Sequence, residues 1–165
     1  MSVVDDLKKA LGSKEFQPLK IFVINTAPDD LLAADLITML RKKKFLCWDS
    51  KNSILPGRNH NEEQEKALYE AHIVLGLLTK STPFTAGRYT ALLKLSQNAQ
   101  LEMPGGVIKF IPLLMDGCDL PYAFQKYQPL DMTAAGAAQK LVASLRRRSD
   151  TVVINDQKKP EAIWL

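Results

Sequence analysis

A chain of 165 residues, 46% hydrophobic and 24% charged, has the composition of one globular domain with a real core. No run reaches the roughly 18 apolar residues of a membrane span, and Met1-Ser-Val-Val-Asp-Asp6 lacks the basic-then-apolar pattern of a secretory leader. A cytoplasmic protein with no membrane partner is therefore expected. The net charge of +4 is modest, which argues against nucleic acid as a partner. Its basic residues gather at Arg41–Lys44 and Arg146–Arg148, near predicted helix ends that they complement electrostatically. No aromatic residues interleave with them.

Residues 3–16 carry Val3, Val4, Leu7 and Leu11 on one helical face and end at Gly12, which predicts an N-terminal helical extension over 1–19. Lys20–Asn25 is nearly all apolar, as a doubly covered parallel strand should be. Thr26–Asp30 turns the chain, with Asp29 and Asp30 placed to cap the next helix. That helix runs to about Lys42, with Leu32, Ala33, Leu36, Ile37 and Leu40 on one face. Phe45–Asp49 is the second strand, and the loop after it closes on Ile54-Leu-Pro-Gly57. Acid-rich 61–70 reads as a helix whose Glu62, Glu63, Glu65 and Glu70 form a solvated face. His72–Thr79 is the third strand. Tyr89, Leu92, Leu93, Ser96 and Ala99 then repeat at helical spacing. Val107–Met115 is a late strand, where Pro112 is tolerable at an edge. Asp116–Pro129 is a loop with a possible short helix, and Ala134–Arg148 is the last helix. Residues 149–165 form a mobile tail with one strand-like run, Thr151–Ile154.

Alternation of strand and helix predicts an α/β fold, a flavodoxin-like three-layer sandwich. Its parallel sheet of four to five strands takes the order 2-1-3-4-5 and is flanked by helices. Ligands of such sheets sit beyond the C-terminal strand ends, where strand order reverses. The predicted crevice is lined by Asn25–Asp29 and Thr79–Thr85, with the 50–57 loop nearby. Cys47 and Cys118 end strands on opposite sides of the sheet and make no metal spacing with His60 or His72. They read as reduced, unpaired thiols, and no metal is expected.

Several users of this architecture are excluded. Asn25-Thr-Ala-Pro28 has no glycine for a dinucleotide turn, and no Gly-Lys-Ser/Thr of a P-loop occurs. A phosphoacceptor aspartate is missing at Leu77–Lys80. Pro28-Asp-Asp30 would repel a flavin phosphate.

Lys20-Ile-Phe-Val-Ile-Asn-Thr-Ala-Pro-Asp29 resembles the first box of a TIR (Toll/interleukin-1 receptor) domain. Trp48-Asp49 with Ile54-Leu-Pro-Gly57 is similar to the family's second strand and Pro-Gly loop. Val74–Ser81 resembles the strand leading to its serine, Ile111–Pro121 its late strand and Leu-Pro turn, and Gln128–Asp131 its closing Leu-Asp. Together these pieces resemble a TIR domain over 20–148, in a style closer to prokaryotic members.

The resemblance implies one of two activities. Many TIR domains cleave the nicotinamide–ribose bond of NAD⁺ in immune or antiphage effectors and toxins; others are adaptors that associate with further TIR domains. Cleavage relies on a glutamate in the helix after strand three, one turn past an aromatic residue. Its carboxylate stabilises the oxocarbenium-like ribose. Counting from Tyr89 puts Leu93 in that place, and a small shift puts Leu92 or Ala91 there. None is an acid. Ala91 lies off the apolar stripe and is what a Glu→Ala change would leave, although a naturally acid-free homologue reads the same. The expectation is an NAD⁺ glycohydrolase-type domain of low activity, with a non-catalytic TIR scaffold as the alternative.

No cofactor is expected, NAD⁺ being substrate or ligand. Asn25, Thr26, Asp29, Trp48, Asp49, Arg58, Ser81, Phe84 and Tyr89 are the candidate contacts to it. Six of them have a plainer reading: a helix cap for Asp29, packing for Trp48, Phe84 and Tyr89, loop structure for Asp49, and solvation for Arg58. By resemblance, Leu55-Pro56-Gly57 is the self-association loop, making a homo-oligomer or filament the expected partner state.

Overall fold

Parallel strands buried on both faces need apolar side chains on both, and the apolar runs of this chain assemble in that way. The computed structural model describes residues 18–49, 53–82, 87–152 and 162–165. Within them the strands are β1 Lys20–Ile24, β2 Leu46–Trp48, β3 Ile73–Leu78, β4 Phe110–Leu114 and β5 Leu130–Asp131. All pair in parallel, in the order β2-β1-β3-β4-β5. The helices are α1 Asp30–Lys42, α2 His60–Glu70, α3 Arg88–Leu101 and α4 Ala137–Ser149. The flavodoxin-like order expected from the sequence is thus observed.

Alternation along β1 divides the core. Ile21 and Val23 join Ala33, Leu36 and Leu40 of α1 and Leu141 and Leu145 of α4. Phe22 and Ile24 face the other way, onto Ala67 and Leu68 of α2 and Leu92 and Leu93 of α3. Gly76 on β3 suits the close packing of this second layer, since a Cβ there would stand 3.0 Å from Phe110 and 3.2 Å from Leu93.

Helix ends follow their local chemistry. Asn59 caps α2 by accepting from the Glu62 N–H at 3.1 Å. The last turn of α2 has no basic residue. Instead Lys109, 5% exposed, donates its ammonium to the carbonyls of Tyr69 and Ala71 at 3.1 and 2.8 Å. Burial pulls the Lys109 pKa down to about 8.

Several expectations are corrected. Leu32 is 39% exposed and outside the core stripe of α1. The acids of α2 are not a uniformly solvated face: Glu63 is 8% exposed, Glu65 pairs with Arg88, and Glu70 binds a distant segment. Pro112 lies in an interior strand, paired with Gly76 of β3. It shares a side of β4 with Leu114, whose carbonyl accepts from Met132 beside β5. The missing N–H therefore falls just before β5 begins, where no ladder bond is lost.

The last helix starts at Ala137 rather than Ala134. In the proposed tail strand, Thr151 and Val152 are not strand, while Val153 and Ile154 lie outside the described residues. The predicted N-terminal helix also lies outside them. Cys47 and Cys118 are free thiols, and burial raises the Cys47 pKa to about 12.

Candidate functional site

Strand order reverses between β1 and β3, so the loops leaving these two strands part and open a crevice. Thr26 and a single 3-10 turn, Ala27–Asp29, lead from β1 into α1. Asp29 stands at the position before α1 but makes no side-chain cap bond, contrary to the cap reading. Asp29 is 6% exposed, and its carboxylate accepts from the hydroxyls of Thr26 at 3.1 Å and Thr79 at 3.0 Å. Thr79, at the end of β3, also lies 3.0 Å from the Ser81 hydroxyl. Its N–H donates to Thr82 Oγ1 at 2.8 Å. Tyr89 closes the group by donating its phenol to the Leu77 carbonyl at 2.6 Å. Burial first, and the Asp29 carboxylate second, raise the Tyr89 pKa. A buried acid, a row of hydroxyls and a phenol therefore bridge the two strands at the switch point.

Beside this cluster, toward β2, lies a cavity of about 300 Å³. It is lined by Asn25, Trp48 and Asp49 at the strand ends, by Asp30, Ala33, Ile37, Thr38 and Arg41 of α1, by Gln64 of α2 and by Leu92 of α3. Asn25 donates to Asp30 Oδ1 at 2.7 Å, which fixes the rim. Trp48 stacks on Phe22 with centroids 5.2 Å apart. Trp48 is 4% exposed, yet among the described residues its indole N–H has no hydrogen-bond partner. Buried donors are seldom left unmatched.

The helix read as catalytic presents no acid. Leu93 is 1% exposed and packs in the core, while Ala91 is exposed and absent from the cavity wall. Leu92, 5% exposed, is the α3 residue that reaches the cavity. Arg88 anchors the start of α3 to α2 through Gln64 at 2.9 Å and Glu65 at 3.3 Å.

The other candidates separate into three places. Asn25, Trp48 and Asp49 border the cavity; Thr26, Asp29, Ser81 and Tyr89 form the switch-point cluster. Arg58 is exposed on the loop, away from both. Phe84 lies outside the described residues. Leu55, Pro56, Gly57 and Arg58 form a turn in which Arg58 N–H donates to the Leu55 carbonyl at 3.2 Å. Gly57 has φ +86, and Pro56 before it gives the type II pattern. Ser53 pins the loop base by accepting from the Asp49 N–H at 3.0 Å.

Sequence reasoning missed Arg41, Gln64 and Thr38 as wall residues, because they come from helix positions with ordinary surface patterning. Among the described residues no cluster of His, Cys, Asp or Glu could hold a metal ion. No helix among them is long and apolar enough to cross a membrane.

An open parallel sheet with its crevice at the β1/β3 switch point defines a flavodoxin-like α/β domain. A family model of the TIR domain matches residues 21–146, and the chain belongs to the TIR domain family. No curated protein matches it. Its fold is similar to the TIR domain of the Toll-related receptor TRR-2 from the lower metazoan Hydra magnipapillata. That comparison has 15% identity and a TM-score of 0.62, covering 76% of this chain and 97% of the other. At that identity the likeness speaks for the fold alone.

Proposed function

We propose that this TIR domain works by associating with further TIR domains through its Leu55–Gly57 turn, and that it cleaves NAD⁺ poorly. The observation that carries this reading is α3, which has no acid and buries both Leu92 and Leu93. Departure of nicotinamide leaves a positive ribose that needs a nearby carboxylate. Asp29 is already engaged by two threonine hydroxyls, and Asp30 by Asn25. Loss of such a group lowers turnover by roughly 100-fold or more. The turn supports the associative part, with Leu55 50% exposed at its start. Service in an immune or toxin effector belongs to the same proposal.

A second reading is favoured by Trp48. Its N–H, without a partner among the described residues, borders a cavity near the lower end of ligand-pocket sizes. A carboxamide or ribose oxygen would satisfy that donor. NAD⁺, or a relative held by one half, would then be a ligand rather than a substrate.

The test is light scattering of the purified chain across a concentration series, with NAD⁺ consumption read in the same samples. Concentration-dependent assembly that Leu55→Asp weakens, with NAD⁺ turnover at background, is expected. Rapid NAD⁺ loss in the unmodified protein would overturn the reading. Calorimetry with NAD⁺ tests the second reading: heat that Trp48→Phe abolishes supports it, and no heat at high protein concentration removes it.

A further inference from the structure

β2 is an edge strand of the sheet, and a strand edge exposes main-chain donors and acceptors on one side. Leu46 uses its N–H on β1, donating to the Leu19 carbonyl. Alternation then points the N–H and C=O of Cys47 outward. Both are taken by Leu165: Cys47 N–H donates to its carbonyl at 2.9 Å, and Leu165 N–H donates to the Cys47 carbonyl at 3.4 Å. This reciprocal exchange is that of an antiparallel strand pair.

Side chains around the edge read the same segment. Glu70 accepts from the Ala162 N–H at 3.0 Å and from the Trp164 indole N–H at 3.0 Å. Lys20 places its ammonium 5.7 Å from the centre of the Trp164 ring. Arg41 donates to the Leu165 carbonyl at 3.2 Å and reaches the Cys47 carbonyl at 3.4 Å. A carboxylate, an ammonium and a guanidinium thus converge on an extended piece carrying a tryptophan.

The geometry points to the β2 edge as a strand-addition site that accepts the 162–165 segment of a second copy in place of the chain's own. The Cys47 pair, both Glu70 bonds, the Lys20 ring contact and the Arg41 bond to Leu165 are all made to Ala162, Trp164 or Leu165, and none of these depends on which copy supplies the segment. The segment's own chain has an advantage only because covalent attachment raises its effective concentration at the edge. Crowding copies together through another surface would narrow that advantage and favour exchange. The Leu55–Gly57 turn takes no part, so this site stands or falls independently of the association proposed above.

A fluorescein-labelled peptide spanning residues 159–165 tests the site by anisotropy. Full-length Trp164→Ala, which releases its own segment, is expected to bind the peptide at least about tenfold more tightly than the unmodified chain. Trp164→Ala combined with Glu70→Gln is expected to lose that gain. Leu165→Pro removes one of the paired N–H groups at a 45% exposed side chain and serves as a second release variant if Trp164→Ala fails to fold. Hydrogen exchange at the Cys47 amide should fall back to protected values when the peptide is added to either release variant. A folded release variant that ignores the peptide overturns the proposal, as does equal binding with and without Glu70.

Discussion

A glutamate at residue 93 would lie against Gly76 and Phe110, in a layer where the native leucine is 1% exposed. Burying an unpaired carboxylate there costs several kcal/mol. Leu93→Glu is therefore expected to lose about 3–5 kcal/mol of stability in urea denaturation. Ala91→Glu, at an exposed position, should stay within about 0.5 kcal/mol of the unmodified chain. Neither should gain NAD⁺ turnover; a gain in Ala91→Glu would show that the solvent face of α3 carries the chemistry. Asp29 makes the opposite case, an acid that the fold already uses. Removing it in Asp29→Ala leaves the Thr26 and Thr79 hydroxyls without their shared acceptor. The expected loss is about 2–3 kcal/mol. Thr79→Val should overlap with that loss rather than add to it, because the two groups form one network. Simple additivity in the double variant would count against the network.

The Leu55–Arg58 turn shows how an element depends on one backbone angle. Gly57 has φ +86, and a Cβ added there would meet nothing within 4 Å. Gly57→Ala should thus cost about 1 kcal/mol from backbone strain alone. If the turn is the association surface, the same change should raise the concentration needed for assembly in light scattering, without a larger fall in melting temperature. This turn could be read from Pro56-Gly57, as β1 and β3 could from their apolar runs, because each signal lies within a few residues. β5 left no comparable signal. It is Leu130–Asp131 alone, paired through Leu113 and Leu114. The cavity was equally hard to read, since Arg41, Gln64 and Leu92 meet only after three helices pack. The hold of Glu70 on Trp164 spans 94 positions and was invisible to any local pattern.

At the scale of the whole molecule, ionisable groups cluster at the end of the sheet opposite the crevice, and His72 among them sets a response of stability to acid. His72 begins β3 there, and its Nδ1 accepts the Lys20 N–H at 2.8 Å. That bond requires an unprotonated Nδ1. Burial chiefly, then the charges of Lys20, Arg148 and Lys109, lower the His72 pKa to about 4. The unfolded histidine, near 6.5, takes up its proton first as pH falls. Between about 6.5 and 4 the unfolded chain holds more protons, so stability declines on acidification and is fully present only above that window. With allowance for partial exposure, the loss is on the order of 2 kcal/mol. His72→Gln, which keeps an acceptor without a titrating ring, should flatten the limb in urea denaturation between pH 7 and 4; an unchanged slope would assign it to carboxylates. On the alkaline side the groups oppose one another. Lys109, lowered to about 8, adds stability as pH rises, because its unfolded counterpart stays charged to higher pH. Cys47, raised to about 12, and Tyr89 and Cys118, also raised, subtract it once their unfolded counterparts ionise. Three groups against one give a net fall above roughly pH 10. Cys47→Ala would remove one of the three opposing titrations, so its stability should decline less steeply from pH 9 to 11 than that of the unmodified chain. An equal or steeper decline would show that the buried thiol has no part in the alkaline limb.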